Sequence, residues 1–235
     1  MKIDPFLRKL LAEFLGVTLF VTAIIGAVNG GLQVKTAALA TVLGLAILVT
    51  APISGGHLNP AVSIYFYSRK EISLKDLLGY ILAQILGGLF GAWIGLTIWG
   101  QAVAVTSGNA SAGAILGELF ATGGLVWLVG RLASTKNGHL IPAAVGLWVF
   151  AVASATPTGG QANPAVSIAL LLNGQGGAAT AQLILAQLAG MLIASVFITV
   201  FAEKVAAKKA EAAAEAPKAV AKKAPAKKAA ATKKK

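Results

Sequence analysis

An eleven-residue segment occurs twice. Ser54-Gly55-Gly56-His57-Leu58-Asn59-Pro60-Ala61-Val62-Ser63-Ile64 returns 104 residues later as Thr158-Gly159-Gly160-Gln161-Ala162-Asn163-Pro164-Ala165-Val166-Ser167-Ile168. Two further matches flank it in register. Leu11-Ala12-Glu13 pairs with Leu116-Gly117-Glu118 at an offset of 105, and Ala83-Gln84 with Ala186-Gln187 at 103. A lone Asn-Pro-Ala tripeptide means little in an alanine-rich chain, but three landmarks in one register define a duplicated unit.

The length of the apolar runs fixes what each unit contains. About 20 apolar residues are needed to cross a bilayer core of roughly 30 Å. The chain supplies six such windows, near 6–28, 36–53, 74–99, 112–133, 140–155 and 180–202. Two further apolar stretches, 59–67 and 163–172, follow the repeated glycines and are too short to span. Each half therefore holds three spans and one short segment. Three is odd, so the second half enters the membrane upside down relative to the first, the arrangement that places a transport site near the midplane. The resulting fold class is an all-α membrane protein with six transmembrane helices, two re-entrant half-helices and inverted repeats over about 6–99 and 112–203.

Composition agrees. Residues are 57% hydrophobic and 12% charged, against about 25% charged in soluble domains, which argues against a water-soluble enzyme. Without cysteine there is no disulfide framework, thiolate metal site or thiol nucleophile. No nucleotide loop or metal cluster is evident either, so neither a cofactor nor a metal is expected. The net charge of +12 divides unevenly. Residues 1–203 hold nine Lys/Arg against six Asp/Glu, and residues 204–235 hold eleven against two. With both termini cytoplasmic, every Lys and Arg but Lys35 falls on the inner side, the split expected when basic residues stay inside. The Lys/Ala-rich tail, 204–235, has too few large apolar residues to bury a core. It reads as disordered beyond a helical extension over Glu203 to Ala216, first as a solvated topogenic tail, with adhesion to anionic lipid the second reading and contact with nucleic acid the third.

The short segments begin with Asn followed by Pro. Proline in the first helical turn loses no hydrogen bond, and asparagine before it is a good cap. Asn59-Pro60 and Asn163-Pro164 thus read as the starts of half-helices, each preceded by irregular backbone that membrane depth tolerates only inside protein or beside a wet cavity. Inverted symmetry brings these starts face to face near the bilayer centre. Both ends contribute partial positive charge there, attracting oxygen lone pairs and repelling cations and protons.

On Ala12-Glu13-Phe14, the two Asn-Pro-Ala segments (Asn59, Pro60, Ala61; Asn163, Pro164, Ala165), Ala83-Gln84 with Gly87, and Glu118, the chain over residues 6–203 resembles the aquaporins, or major intrinsic proteins. The resemblance implies a six-helix bundle with one pore per subunit, commonly a homotetramer, in the cell membrane. It also implies passive flow of water, or of water and small polyols. One departure stands out: the family's second Asn-Pro-Ala is normally followed by arginine, and here that position is Val166. Carrying over the other constriction positions by spacing gives Leu39, Ala151 and Gly160, a set with Val166 that lacks charge, aromatic ring and side-chain donor. The aspartate that polyol-conducting relatives often carry next is Ser167.

The resulting expectation is a passive channel for water with relaxed selectivity toward small neutral solutes. A glycerol or small-solute facilitator is the first alternative, a non-conducting structural membrane protein the second. Asn59 and Asn163 orient the permeant, and Gly56, His57, Leu58, Gly160, Gln161 and Ala162 offer backbone carbonyls as a ladder. Buried carboxylates are expensive in a membrane. For Glu13 and Glu118 a structural role, holding the N–H groups of the adjacent irregular loop, is favoured over a proton relay. A structural hydrogen bond is likewise favoured for His57 over a pH sensor, because its repeat mate Gln161 does not titrate.

Overall fold

The computed structural model describes residues 3–29, 35–100 and 108–221, with side chains up to residue 202. Eight α-helices occur among them: α1 (Pro5–Asn29), α2 (Lys35–Ser54), α3 (Pro60–Ser68), α4 (Leu74–Trp99), α5 (Ala112–Ala133), α6 (Ile141–Ala155), α7 (Pro164–Ala169) and α8 (Gly177–Ala221). Short 3-10 turns precede α6 (Gly138–Leu140) and follow α7 (Leu170–Asn173). Six of these helices, counting the turn before α6 with it, are long and apolar enough to cross a membrane, and α3 and α7 are the two short ones. The fold is the all-helical arrangement the repeat implies, and the protein is an integral multi-pass membrane protein. Large apolar side chains face outward along the spans, Leu147 being 71% exposed, as lipid-facing residues are.

The chain divides into a unit over residues 1–196 and a second over 197–235. Helix α8 continues to Ala221, past the Ala216 limit read from the sequence and through Pro217. Ala, Glu and Lys are good helix formers, but nothing in the structure explains the passage through proline. The remainder of the expected tail, 222–235, lies outside the described residues.

The helices within each repeat approach through small residues. Any Cβ added at Gly87 in α4 would overlap the backbone oxygen of Phe14 in α1, and one at Gly190 in α8 would overlap that of Leu119 in α5. These are repeat mates meeting repeat mates, so the matches along the sequence are matched helix crossings. Small residues let membrane helices pack this closely. Alanine at an ordinary helical glycine adds about 1 kcal/mol of helix stability. Here the clash with backbone dominates, and Gly190→Ala should lower stability by about 1–3 kcal/mol, the size of core overpacking. A melting curve in detergent would show it as a fall in Tm, while an unchanged or raised Tm would place the crossing elsewhere.

Candidate functional site

The half-helices start where Asn-Pro predicts, α3 at Pro60 and α7 at Pro164. Asn59 Oδ1 accepts from Ala61 N at 2.9 Å and Asn163 Oδ1 accepts from Ala165 N at 3.0 Å, so each carboxamide oxygen caps its own helix. The nitrogens cross between repeats. Asn59 Nδ2 donates to the Ala162 carbonyl at 2.7 Å, and Asn163 Nδ2 to the Leu58 carbonyl at 2.9 Å. One N–H of each asparagine therefore ties the opposite loop, and the other has no acceptor among the described residues.

The two loops before the asparagines share one backbone course. Gly55, Gly56 and Leu58 have φ of 94°, 63° and 48°; Gly159, Gly160 and Ala162 have 72°, 60° and 47°. Glycine is required at Gly160, where an added Cβ would sit 2.6 Å from Val152 Cγ2 as well as being strained. Leu58 and Ala162 adopt the left-handed region without being glycine, at a cost of about 1–2 kcal/mol each.

Glu13 and Glu118 offset that cost. Glu13 accepts from Ser54 Oγ (2.6 Å), His57 N (3.0 Å), Leu58 N (2.6 Å) and Gln84 Nε2 (2.8 Å). Glu118 accepts from Thr158 Oγ1, Gln161 N (2.9 Å), Ala162 N (2.8 Å) and Gln187 Nε2 (2.6 Å). Both side chains are fully buried. Four donors match the four lone-pair positions of a carboxylate, and the loop amides that they hold leave the carbonyls turned the other way. Among the described residues, no protein donor reaches the carbonyls of Gly56, His57, Gly160 or Gln161.

Each of the two loops borders a cavity. The first, about 60 Å³, is lined by Gly56, His57, Leu58 and Asn59 together with Asn163, with Leu43, Ile47, Val62 and Val145 as apolar walls. At roughly 10–15 Å³ per water, it has room for a few molecules. The second, about 210 Å³, is lined by Gly160 and Gln161 with Leu39 and Val166, and by Phe20 and Ile24.

Leu39, Gly160 and Val166 thus come together as the spacing suggested, but Ala151 does not join them. It is exposed on the outside of α6, and that helix contributes Val149 and Ala153 to the second cavity. Val152, next to it, is buried against Gly160. Sequence reasoning also missed Gln175, which lies in the connector before α8 and accepts from Gln161 Nε2 at 2.6 Å. The substitution of Gln161 for histidine between the repeats is the signal that marks this neighbourhood as different.

Comparison with known proteins follows the same lines. The family model described as Major intrinsic protein matches residues 1–162. The Arabidopsis thaliana protein Aquaporin PIP2-7 is 32% identical over 192 residues, 69% of this chain and 68% of that one. Aquaglyceroporin AqpS of Rhizobium meliloti is 31% identical over 178 residues, 69% and 74% of the two chains. The chicken lens fiber major intrinsic protein is 43% identical over 97 residues, a match spanning 39% of this chain and 37% of that protein. Among solved structures, the aquaglyceroporin from Plasmodium falciparum superposes with a TM-score of 0.65 at 24% identity, covering 82% of this chain and 95% of its own, a likeness of fold.

Proposed function

The chain belongs to the major intrinsic protein family of membrane channels, and on that premise we propose that it conducts water and, with relaxed selectivity, small neutral solutes. The observation that carries the reading is Val166, buried in the wall of the second cavity where the family resemblance leads one to expect arginine. An arginine there would narrow the passage and present several donors in a fixed fork. Valine leaves a wider apolar wall. The reciprocal asparagine bonds supply the opposing feature, a central point with donors and two helix starts, which disfavours cations.

In this reading residues 1–203 form the channel and 204–235 a cytoplasmic tail. Both termini lie inside the cell, with Lys35 at the outer mouth. The site of action is the cell membrane, the assembly a homotetramer with one pore per subunit, and the lysines of the tail adhere to anionic lipid at about 1 kcal/mol per basic residue near the surface. Asn59 and Asn163 orient the permeant; the carbonyls of Gly56, His57, Leu58, Gly160, Gln161 and Ala162 pass it along. Leu39, Gly160 and Val166 set the width, with Val149 and Ala153 in place of Ala151.

Stopped-flow measurements on proteoliposomes, with water, glycerol and urea, test the proposal. All three should permeate the wild type. Val166→Arg is expected to retain water flux and lower glycerol and urea flux by about tenfold, equivalent to about 1.4 kcal/mol of added barrier. Fast water flow with glycerol excluded from the wild-type protein would sink the wide-filter reading.

A further inference from the structure

From each buried carboxylate a chain of hydrogen bonds runs to a pore cavity, and the chemistry of its members fixes the direction of every bond. In the first repeat, Glu13 Oε2 accepts from Leu58 N and from Gln84 Nε2. A flipped Gln84 amide would set its oxygen against the carboxylate with no proton between them, so the nitrogen faces Glu13. Gln84 Oε1 is left buried and without a partner as a result. The second N–H of Gln84 goes to Ser63 Oγ at 3.0 Å. Among the described residues the Ser63 hydroxyl reaches no other acceptor, so its proton goes to His57 Nδ1, 3.1 Å away. Nδ1 is therefore the bare nitrogen, and a neutral imidazole must carry its proton on Nε2. His57 lines the first cavity, and no described protein group bonds Nε2.

The second repeat repeats this logic with a different end group. Gln187 Nε2 donates to Glu118 and, at 2.9 Å, to Ser167 Oγ, and Gln187 Oε1 is unpartnered like its mate. Ser167 Oγ in turn donates to Gln161 Oε1 at 2.6 Å. Here a second chain arrives from the other side. Gln175 Nε2 donates to the Ser167 carbonyl at 3.1 Å and to Thr180 Oγ1 at 2.8 Å, which turns Gln175 Oε1 toward Gln161 Nε2. A backbone carbonyl only accepts, so this assignment does not depend on the first. Both ends of the Gln161 amide are thereby determined, and one N–H remains without an acceptor among the described residues. Gln161 lines the second cavity, where Leu39, Gly160 and Val166 offer no side-chain donor.

We propose that His57 Nε2–H and Gln161 Nε2–H are specificity-determining donors, one in each half of the pore, with directions fixed by the Glu-Gln-Ser relays, and that they favour small neutral permeants bearing an oxygen acceptor. Gln161 then supplies the donor that Val166 cannot. Ser63, Gln84, Ser167, Gln187 and Gln175 are positioning residues. The proposal rests on the channel reading above and deepens it.

The chain has two histidines, His57 and His139. His139 is exposed, so His139→Asn leaves a single imidazole to observe. Solid-state NMR of this full-length variant, labelled with ¹⁵N-histidine in lipid bilayers at neutral pH, should find His57 neutral and protonated on Nε2. Adding Ser63→Ala should yield a mixture of tautomers. A proton on Nδ1 in the unmodified relay, or an imidazolium, overturns the assignment. In the flux assay, His57→Leu and Gln161→Leu should each slow water by about fivefold, the scale of one lost hydrogen bond, and change the water-to-urea ratio. Gln at position 57, His57→Gln, copies the second repeat and should rescue flux relative to His57→Leu. Leucine variants with unchanged flux and ratios overturn the donor role even if the tautomer is as stated. A wild-type protein that conducts nothing removes the channel reading and the donor role together, while the NMR result stands by itself.

Discussion

Glu118→Leu is expected to yield protein that cannot hold its second loop, seen as loss of the monodisperse peak in size-exclusion chromatography or a large fall in Tm. The leucine removes the common acceptor of Thr158 Oγ1, Gln161 N, Ala162 N and Gln187 Nε2. Each buried donor left unpaired costs about 1–3 kcal/mol, and water is scarce at membrane depth to take the acceptor's place. Losing four partners at once would take a large share of a stability of about 5–15 kcal/mol. The left-handed Ala162 would also lose the bond that holds it there. Glu118→Gln keeps one oxygen acceptor but presents an NH2 to donors, so an intermediate loss is expected. Because Glu13 has the same four kinds of partner in the first repeat, Glu13→Leu should match Glu118→Leu in size. A Tm within about 2 °C of wild type for either leucine variant, where 1 kcal/mol shifts Tm by about 2–4 °C in a chain of this size, would show that the carboxylates do not organise the loops.

The duplicated segment made most of this legible beforehand. It set the number of spans, the two half-helices and their first residues, since Pro60 and Pro164 each start a helix capped by the preceding asparagine. Repetition also marks Glu13 with Glu118 and Gln84 with Gln187 as pairs and points the carboxylates at loop N–H groups, although it does not reveal that a hydroxyl, Ser54 or Thr158, and a glutamine amide complete each set. Ala151 was misplaced for a geometric reason. Its position was counted back from Asn163 through the irregular stretch after α6, and one residue more or less in such a stretch turns a helix by about 100°. That is enough to exchange a pore-facing side chain for a lipid-facing one. Leu39, counted from Asn59 in the same manner, falls on the cavity wall. Gln175 was invisible for another reason: it sits in a short connector without periodicity and has no mate in the first repeat. What the sequence did show there was an asymmetry, His57 against Gln161, and the structure gives it content, because the histidine ends its relay alone while the glutamine needs a second chain to orient it.

Substituting both Asn59 and Asn163 by leucine should reduce water permeability to that of the bare lipid. Each asparagine makes two bonds with its carboxamide, a cap to its own half-helix and a tie to the opposite loop. Leucine loses the cap, worth about 0.5–2 kcal/mol, and leaves the Ala162 or Leu58 carbonyl without its donor. It also sets an apolar side chain in the wall of the first cavity, which both asparagines line, and apolar constrictions close by dewetting. The single variants should already lose most of the flux and combine non-additively, since the two ties brace one another across the repeats. Asn163→Asp separates donor from cap. The aspartate still caps α7, so the helix start persists, but it faces the Leu58 carbonyl with an acceptor and places negative charge where two helix starts otherwise keep the potential positive. Water flux should therefore fall while proton leak rises, measured with a pH dye inside the same liposomes. Full water flux in the double leucine variant would remove the asparagine pair from the conduction path, and an unchanged proton leak in Asn163→Asp would mean that charge at the midpoint is not what excludes protons.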